Sequence, residues 1–350
     1  MSKKIFTLLL VCCVLLSGCT NKDISKIFSS NVDIYVSDDV DVFGNKIEEG
    51  DVVVPVKPNS PNEELQTYPS STFKGTLKVY FLDVGQADSV FIQINDDENI
   101  LIDGGNNNDG EDIVNYLKHL GISDIDTIIA THPHEDHIGG LDTIINSIDV
   151  DKIYLPYINE EDIPSTITYD DFLQSILNND LLAYEAKNGD VLYETQGIKL
   201  EILSPSEVSP GDLNDYSIVT KLTFGNTSFL FTGDASNAIN DFIMNNYNND
   251  DLDIDVLKVG HHGSYTSTSD DWIKITSPEY SIIMCGKDNS YGHPHDGPMS
   301  ILNKYNSNIL RTDIDGTILI TSDGYDLSIS KNLTGKYSLG EKQFDINNIK

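Results

Sequence analysis

Thr131-His-Pro-His-Glu-Asp-His-Ile-Gly-Gly140 decides the reading of this chain. It sets His132, His134, Glu135, Asp136 and His137 within six consecutive positions. Upstream, Asp124-Ile-Asp-Thr-Ile-Ile-Ala130 ends in the aliphatic run of a buried strand. Downstream, Ile138 to Ser147 reads as a short helix. The cluster therefore occupies a strand-to-helix loop, where α/β proteins keep their chemistry. Pro133 biases His132 towards an extended backbone. Alternation along extended chain then puts His132 and His134 on one side. Asp136 and His137 come at the turn into the helix and can face the same point from the other side. Imidazole and carboxylate together suit zinc or a similar divalent ion. The chain has 8 histidines in 350 residues, so three in this stretch are too concentrated for a casual polar loop.

Working outward, four more stations stand at strand ends. Leu77–Asp83, Ser89–Asn95 and Asn99–Ile102 read as strands, the last ending in Asp103-Gly-Gly. Asp103 can hold the ring N–H of a metal-binding histidine, or it can be a simple turn residue. A hairpin over residues 216–232 ends in Thr232-Gly-Asp234. A carboxylate there can bridge two metals, because adjacent dications need a shared anion. It can also cap a helix over 235–245. The strand Asp253–Val259 leads into Gly260-His-His-Gly-Ser264. One of its histidines should complete the Asp136/His137 site. His261 is favoured because it follows the strand directly, which leaves His262 for substrate contact or proton transfer. His293 and His295 share a Gly- and Pro-bounded loop with the same i, i+2 spacing and can hydrogen-bond a substrate phosphate or leaving group. Helices are expected over 112–121, 169–178 and 298–305. Tyr154, Tyr157 and Tyr169 read as packing, His119 as solvent-facing, and Cys285 as a core thiol.

Taken in order, FLDVGQAD, LIDGG, THPHEDHIGGL, FLFTGD, LKVGHHGS and YGHPH resemble the metallo-β-lactamase superfamily. Within it they are similar to the metallo-hydrolase domain of ComEC-type DNA-uptake proteins, over about residues 76–330. The resemblance implies a layered α/β fold, a four-layer αββα sandwich. It implies two divalent ions, zinc by preference with manganese as the alternative. One would use His132 and His134, the other Asp136 and His137, with Asp234 between them. Asp136, His262 and His293 would serve catalysis. Asn214, Ser217, His262, Ser264, His293 and His295 would meet substrate. Many superfamily members carry a further metal-binding histidine before the TGD strand. Here that stretch is Leu213-Asn-Asp-Tyr-Ser217, so Asn214 or water would take its place and the His132/His134 metal would be held less tightly. Ala87 stands where the family usually has Gly.

The implied activity is metal-dependent hydrolysis of a phosphodiester. Two other readings compete: hydrolysis of a lactone, thioester or β-lactam, and a non-catalytic surface binding lipoprotein. The formal charge is −34, from 22 basic and 56 acidic residues. It argues against a stable nucleic-acid complex, since few cations are left to meet phosphates. Lys258 and Lys287 are the bases that could still guide one phosphate.

Residues 1–18 read as a lipoprotein signal peptide: Lys3 and Lys4, an apolar run from Ile5 to Leu16, then Leu16-Ser-Gly-Cys19. This places lipid on Cys19 and the protein on the outer face of the cell membrane. Residues 19–75 read as a polar, acidic tether, 76–330 as the hydrolase domain and 331–350 as a polar tail. After removal of Cys12 and Cys13 with the signal and lipidation of Cys19, Cys285 alone is left, and no disulfide is expected within the domain.

Overall fold

The computed structural model describes residues 73–205 and 211–333. The expected signal segment, Cys19, the tether as far as residue 72 and most of the tail lie outside the described residues, while Phe73, expected in the tether, is buried against Phe224 in the core between the sheets. No helix among the described residues is long and apolar enough to cross a membrane.

Two sheets face each other. The first has eight strands in the order β15 (Leu327–Leu333), β14 (Thr317–Ser322), β1 (Leu77–Phe81), β2 (Val90–Ile94), β3 (Glu98–Ile102), β4 (Asp124–Ile129), β5 (Asp149–Leu155) and β6 (Leu182–Glu185). The second has seven in the order β13 (Asn308–Arg311), β12 (Tyr280–Ile283), β11 (Val256–Lys258), β10 (Thr227–Phe231), β9 (Val219–Phe224), β8 (Ile198–Ser204) and β7 (Val191–Thr195). Helices cover both outer faces, giving the expected αββα sandwich. Period-two alternation builds the layers. In β1 (Leu77–Phe81), Leu77, Val79 and Phe81 enter the core between the sheets, while Tyr80 packs under the helices. In β10 (Thr227–Phe231), Phe229 and Phe231 point inward and Leu230 packs under the helices of the second sheet. The Phe81 and Phe231 rings meet across the gap at 6.2 Å. Both are buried, so Phe81→Ala would cost about 3–5 kcal/mol.

Four strand ends supply the site. β3 (Glu98–Ile102) runs parallel to β4 (Asp124–Ile129) in one sheet, and β10 runs parallel to β11 (Val256–Lys258) in the other. Their carboxyl ends release the loops at Asp103, Thr131, Thr232 and Gly260 at one edge of the sandwich, as open α/β sheets do.

The helix expected over 138–147 is two short ones, Glu135–Ile138 and Leu141–Ile145. The break falls at Gly139-Gly140, where loop backbone lies too close for a side chain. A Cβ on Gly139 would come 2.4 Å from the Asn107 nitrogen, and one on Gly140 would come 2.3 Å from the Gly104 oxygen. Two strands escaped the sequence reading, β7 (Val191–Thr195) and β13 (Asn308–Arg311). Both are sheet edges, so they carry little of the apolar alternation that marks inner strands. β15 (Leu327–Leu333) reaches past residue 330.

Candidate metal centre

The first sheet delivers a fixed histidine set. Asp103 adopts a left-handed backbone, φ 60°, and turns its carboxylate back under the histidine loop. It accepts the Thr131 amide at 2.8 Å, the Thr131 hydroxyl at 2.7 Å and His137 Nδ1 at 2.8 Å. His137 must then carry its proton on Nδ1 when neutral, which frees Nε2. The Thr131 hydroxyl, having donated to Asp103, accepts from His132 Nδ1 at 3.1 Å. His132 Nε2 is thereby also free, and it lies 3.0 Å from His134 Nδ1. Two ring nitrogens that close suit one shared ion. His134 is extended, φ −76° and ψ 149°, just before the helix that begins at Glu135, while His132 and Pro133 form a bend rather than the extended run expected of them.

The second sheet supplies the opposite wall. The helix after Asp234 is Asn237–Asn246, capped by the Ser236 hydroxyl on the Ala238 amide. Asp234 is therefore not the cap. Its side chain is 2 % exposed and aims into the centre. Its Oδ1 lies 3.3 Å from His137 Nε2, and neither atom has a hydrogen-bond partner among the described residues. Gly260-His-His-Gly263 forms a tight turn in which His261 and His262 both have positive φ, 50° and 54°. Two consecutive left-handed non-glycine residues are strained, and such strain collects at functional sites. The turn sends His262 inward. Its Nδ1 donates to the Met284 carbonyl at 2.9 Å, leaving Nε2 3.2 Å from the Asp136 carboxylate and 3.7 Å from Asp234. His261 is half-buried, with Nε2 3.6 Å from Asp234 and Nδ1 against the Thr266 hydroxyl at 3.1 Å.

Donor atoms of Asp136, His137, Asp234 and His262 all lie within 4.8 Å of one another, and so do those of Asp88, Asp103 and His137. These two groups support a site for two divalent ions. The electrostatics agree. Burial opposes charge on Asp136 and Asp234, yet the His137 and His262 rings hold both carboxyls below their usual range. Burial likewise opposes the imidazolium, yet Asp234 and its neighbours push His137 well above its usual value and His262 up to about 10. Burial and the His137 ring keep His132 neutral. A metal would take the place of the protons stored between these facing groups, and the unpartnered Asp234 and His137 atoms fit that exchange.

The remaining expected residues ring this centre. Ser217 is fully buried: its hydroxyl accepts the Asp234 amide at 3.1 Å and lies 3.4 Å from His132 Nδ1. It braces Asp234 and His132 together. The Asn214 side-chain oxygen is buried without a hydrogen-bond partner among the described residues. Ser264 is buried and accepts from the Thr266 hydroxyl at 3.0 Å, which in turn meets His261. His293 stacks over His262 with ring centroids 6.1 Å apart, and lies 5.5 Å from His261 and 4.7 Å from His295. His295 Nδ1 accepts the Tyr265 amide.

Three residues in the centre carry roles that the sequence reading did not assign. Gln86 accepts the Gly286 amide at 3.0 Å, which points its amide nitrogen at His293 Nδ1, 3.2 Å away. Asp88 lies 3.4 Å from His262 Nδ1. Lys258 is 2 % exposed and ion-paired with Asp88, so it is no surface guide for phosphate, whereas Lys287 is exposed. The FLDVGQAD string contained the first two, and their reach across the sandwich was the missing signal. Cys285 is buried, and burial with the nearby Asp313 pushes its thiol up to about 12, which fits an inert core residue.

Comparison with known proteins gives a consistent result. A sequence profile described as the metallo-beta-lactamase superfamily matches residues 82–287. The chain is 32% identical over 270 residues to ComE operon protein 3 of Bacillus subtilis, covering 72% of this chain and 33% of that protein. It is 31% identical over 253 residues to Recombination protein 2 of Haemophilus influenzae, covering 71% and 29%. It therefore spans about a third of the length of these relatives. A solved putative metal-dependent hydrolase from Parabacteroides distasonis is 19% identical with a TM-score of 0.42, covering 69% of this chain and 99% of that one.

Proposed function

The chain belongs to the metallo-β-lactamase superfamily and is a metal-dependent hydrolase, and from that premise we propose that its substrate is a phosphodiester cleaved outside the cytoplasm. The observation that carries the proposal is the placement of His293. Gln86 donates to its Nδ1, so the neutral ring carries its proton on Nε2. Burial and the surrounding His262, His261 and His295 rings lower its pKa to about 4, so it stays neutral at working pH. A neutral N–H donor beside a metal centre suits the charged oxygens or leaving group of a phosphoryl transfer.

The ligand assignment follows the free nitrogens. His132 and His134 would hold one ion. Asp136, His137 and His262 would hold the other, with Asp234 shared between them. This transfers to His262 the role that the order of the sequence favoured for His261, because the left-handed turn reverses which ring faces in. When bound, the ions supply an ionised water as nucleophile and positive charge against the phosphoryl oxygens. Zinc is the first candidate for this nitrogen-rich set, and manganese the second. Asp103, Thr131 and Ser217 keep the rings in register. His293 donates to substrate, and His261 and His295 extend the rim.

The resemblance to ComEC-type domains favours nucleic acid, while the charge of −34 disfavours long polyanions. The expected outcome is turnover of small phosphodiesters, with weak and strongly salt-sensitive action on DNA or RNA. The assay offers a chromogenic phosphodiester, single-stranded DNA, a lactone and a β-lactam to metal-loaded protein, with Asp136→Ala as control. Turnover of the lactone or β-lactam alone, lost in the control, would overturn the phosphodiester reading in favour of the other-bond hydrolase. The lipobox-like Leu16–Cys19 supports attachment to the outer membrane face through lipid on Cys19. Fatty-acid labelling should mark the wild type and not Cys19→Ala; an unlabelled wild type would contradict it.

A further inference from the structure

The Lys258 side chain is buried in the middle of the candidate metal centre. Its Nζ donates to the Gly233 carbonyl at 2.9 Å and is in ion-pair contact with Asp88 Oδ2. It stops 3.9 Å from Asp234 Oδ1, the atom that faces His137 and has no hydrogen-bond partner among the described residues. A buried ammonium takes whichever carboxylate it can reach. Asp234 is about one ångström beyond a normal ion-pair hydrogen bond. What holds the lysine short of it is Asp88. That residue is fixed at its backbone: its amide donates to the Asp136 carbonyl at 3.0 Å and its carbonyl accepts the Gly105 amide at 2.9 Å. Asp88 is thus pinned between the histidine loop and the Asp103 turn, with its side chain 4 % exposed and directed at the lysine.

We propose that Asp88 is a positioning residue that occupies Lys258, so that the lysine compensates buried charge without capturing the metal-bridging carboxylate Asp234. The inference rests on the metal-centre reading above and adds a residue to it. The competing account is that Asp88 is itself a ligand, since its carboxylate groups with Asp103 and His137 within 4.8 Å. The ammonium in contact with Asp88 weighs against that, because a dication there would meet a fixed like charge.

The two accounts predict opposite outcomes in a double-variant cycle. Zinc affinity is measured near neutral pH by competition with a chromophoric chelator, and thermal melting confirms that each variant is folded. If Asp88 occupies the lysine, Asp88→Asn frees Lys258 to close on Asp234, and zinc affinity falls by about 10–100-fold. Adding Lys258→Met to that variant removes the competitor and restores affinity to near the wild-type value. A double variant as weak as Asp88→Asn alone, or an Asp88→Asn protein with wild-type affinity, would overturn the proposal. Lys258→Gln gives an independent arm should Asp88→Asn fail to fold. It keeps a donor for Asp88 and Gly233 but removes the charge, so zinc should bind at least as tightly as in wild type. A tenfold loss in Lys258→Gln would equally overturn it. None of these readouts depends on the substrate, so failure of the phosphodiester reading would show separately, in the substrate panel.

Discussion

The same side chain serves this molecule in two opposite settings. His132, His137 and His262 are buried, and the Nδ1 of each is committed, to Thr131, Asp103 and the Met284 carbonyl respectively. His261, His293 and His295 sit half-exposed on two loops, beside the open rings of Tyr265 and Tyr291. Burying an imidazole is unfavourable unless its nitrogens are satisfied. The inner three meet that demand with one nitrogen and leave the other facing a carboxylate or a second ring. The outer three are half-exposed and less subject to it. The Nδ1 of each still has a partner, in the Thr266 hydroxyl, the Gln86 amide and the Tyr265 amide, and the remaining nitrogens can reach solvent or a ligand. The difference separates two jobs. The buried inner set is suited to holding ions, and the half-exposed outer set to meeting a substrate.

The largest effect should come from Asp234→Asn. It removes charge from the atom both ions would share, so turnover should fall by about a thousandfold or more, with loss of bound metal. His293→Ala should behave differently. Losing one donor to a charged transition state should lower kcat by about a hundredfold while metal content stays at the wild-type level. Metal analysis by plasma mass spectrometry beside steady-state kinetics separates the two. Equal metal loss in both variants would erase the distinction between inner and outer sets.

The smallest effect lies at the other end of β3. Glu98 has burial without a metal or histidine to balance it. Burial first and Asp126 second raise its pKa from 4.5 to about 7. The folded protein therefore holds this proton where the unfolded chain has lost it, and stability from this group declines as pH rises from the unfolded value through about 7. Glu98→Gln should raise the melting temperature by about 2 °C at pH 8 and hardly at all at pH 4, a small gain because the carboxyl is half-exposed. An equal gain at both values would remove Glu98 as the cause.

The layered fold and the position of the histidine loop at a strand end were both legible in the chain because they rest on local patterns. Strand alternation shows in Leu77–Phe81, and the three histidines and two acids stand together within His132–His137. What sequence order could not show were relations across the sandwich. Gln86 reaches His293 and Asp88 reaches Lys258 over separations of 207 and 170 positions. The facing of His261 and His262 was hidden for a different reason. It depends on two left-handed residues that alternation does not anticipate. Asp234 was read as ligand or cap, and only the Ser236 cap separates the two.

Stripping the protein with a chelator and returning metal in steps tests the central claim most directly. Phosphodiester turnover is then followed against equivalents bound. The account predicts no turnover in the stripped protein and a plateau at two equivalents of zinc or manganese. Undiminished turnover in the stripped protein would contradict it.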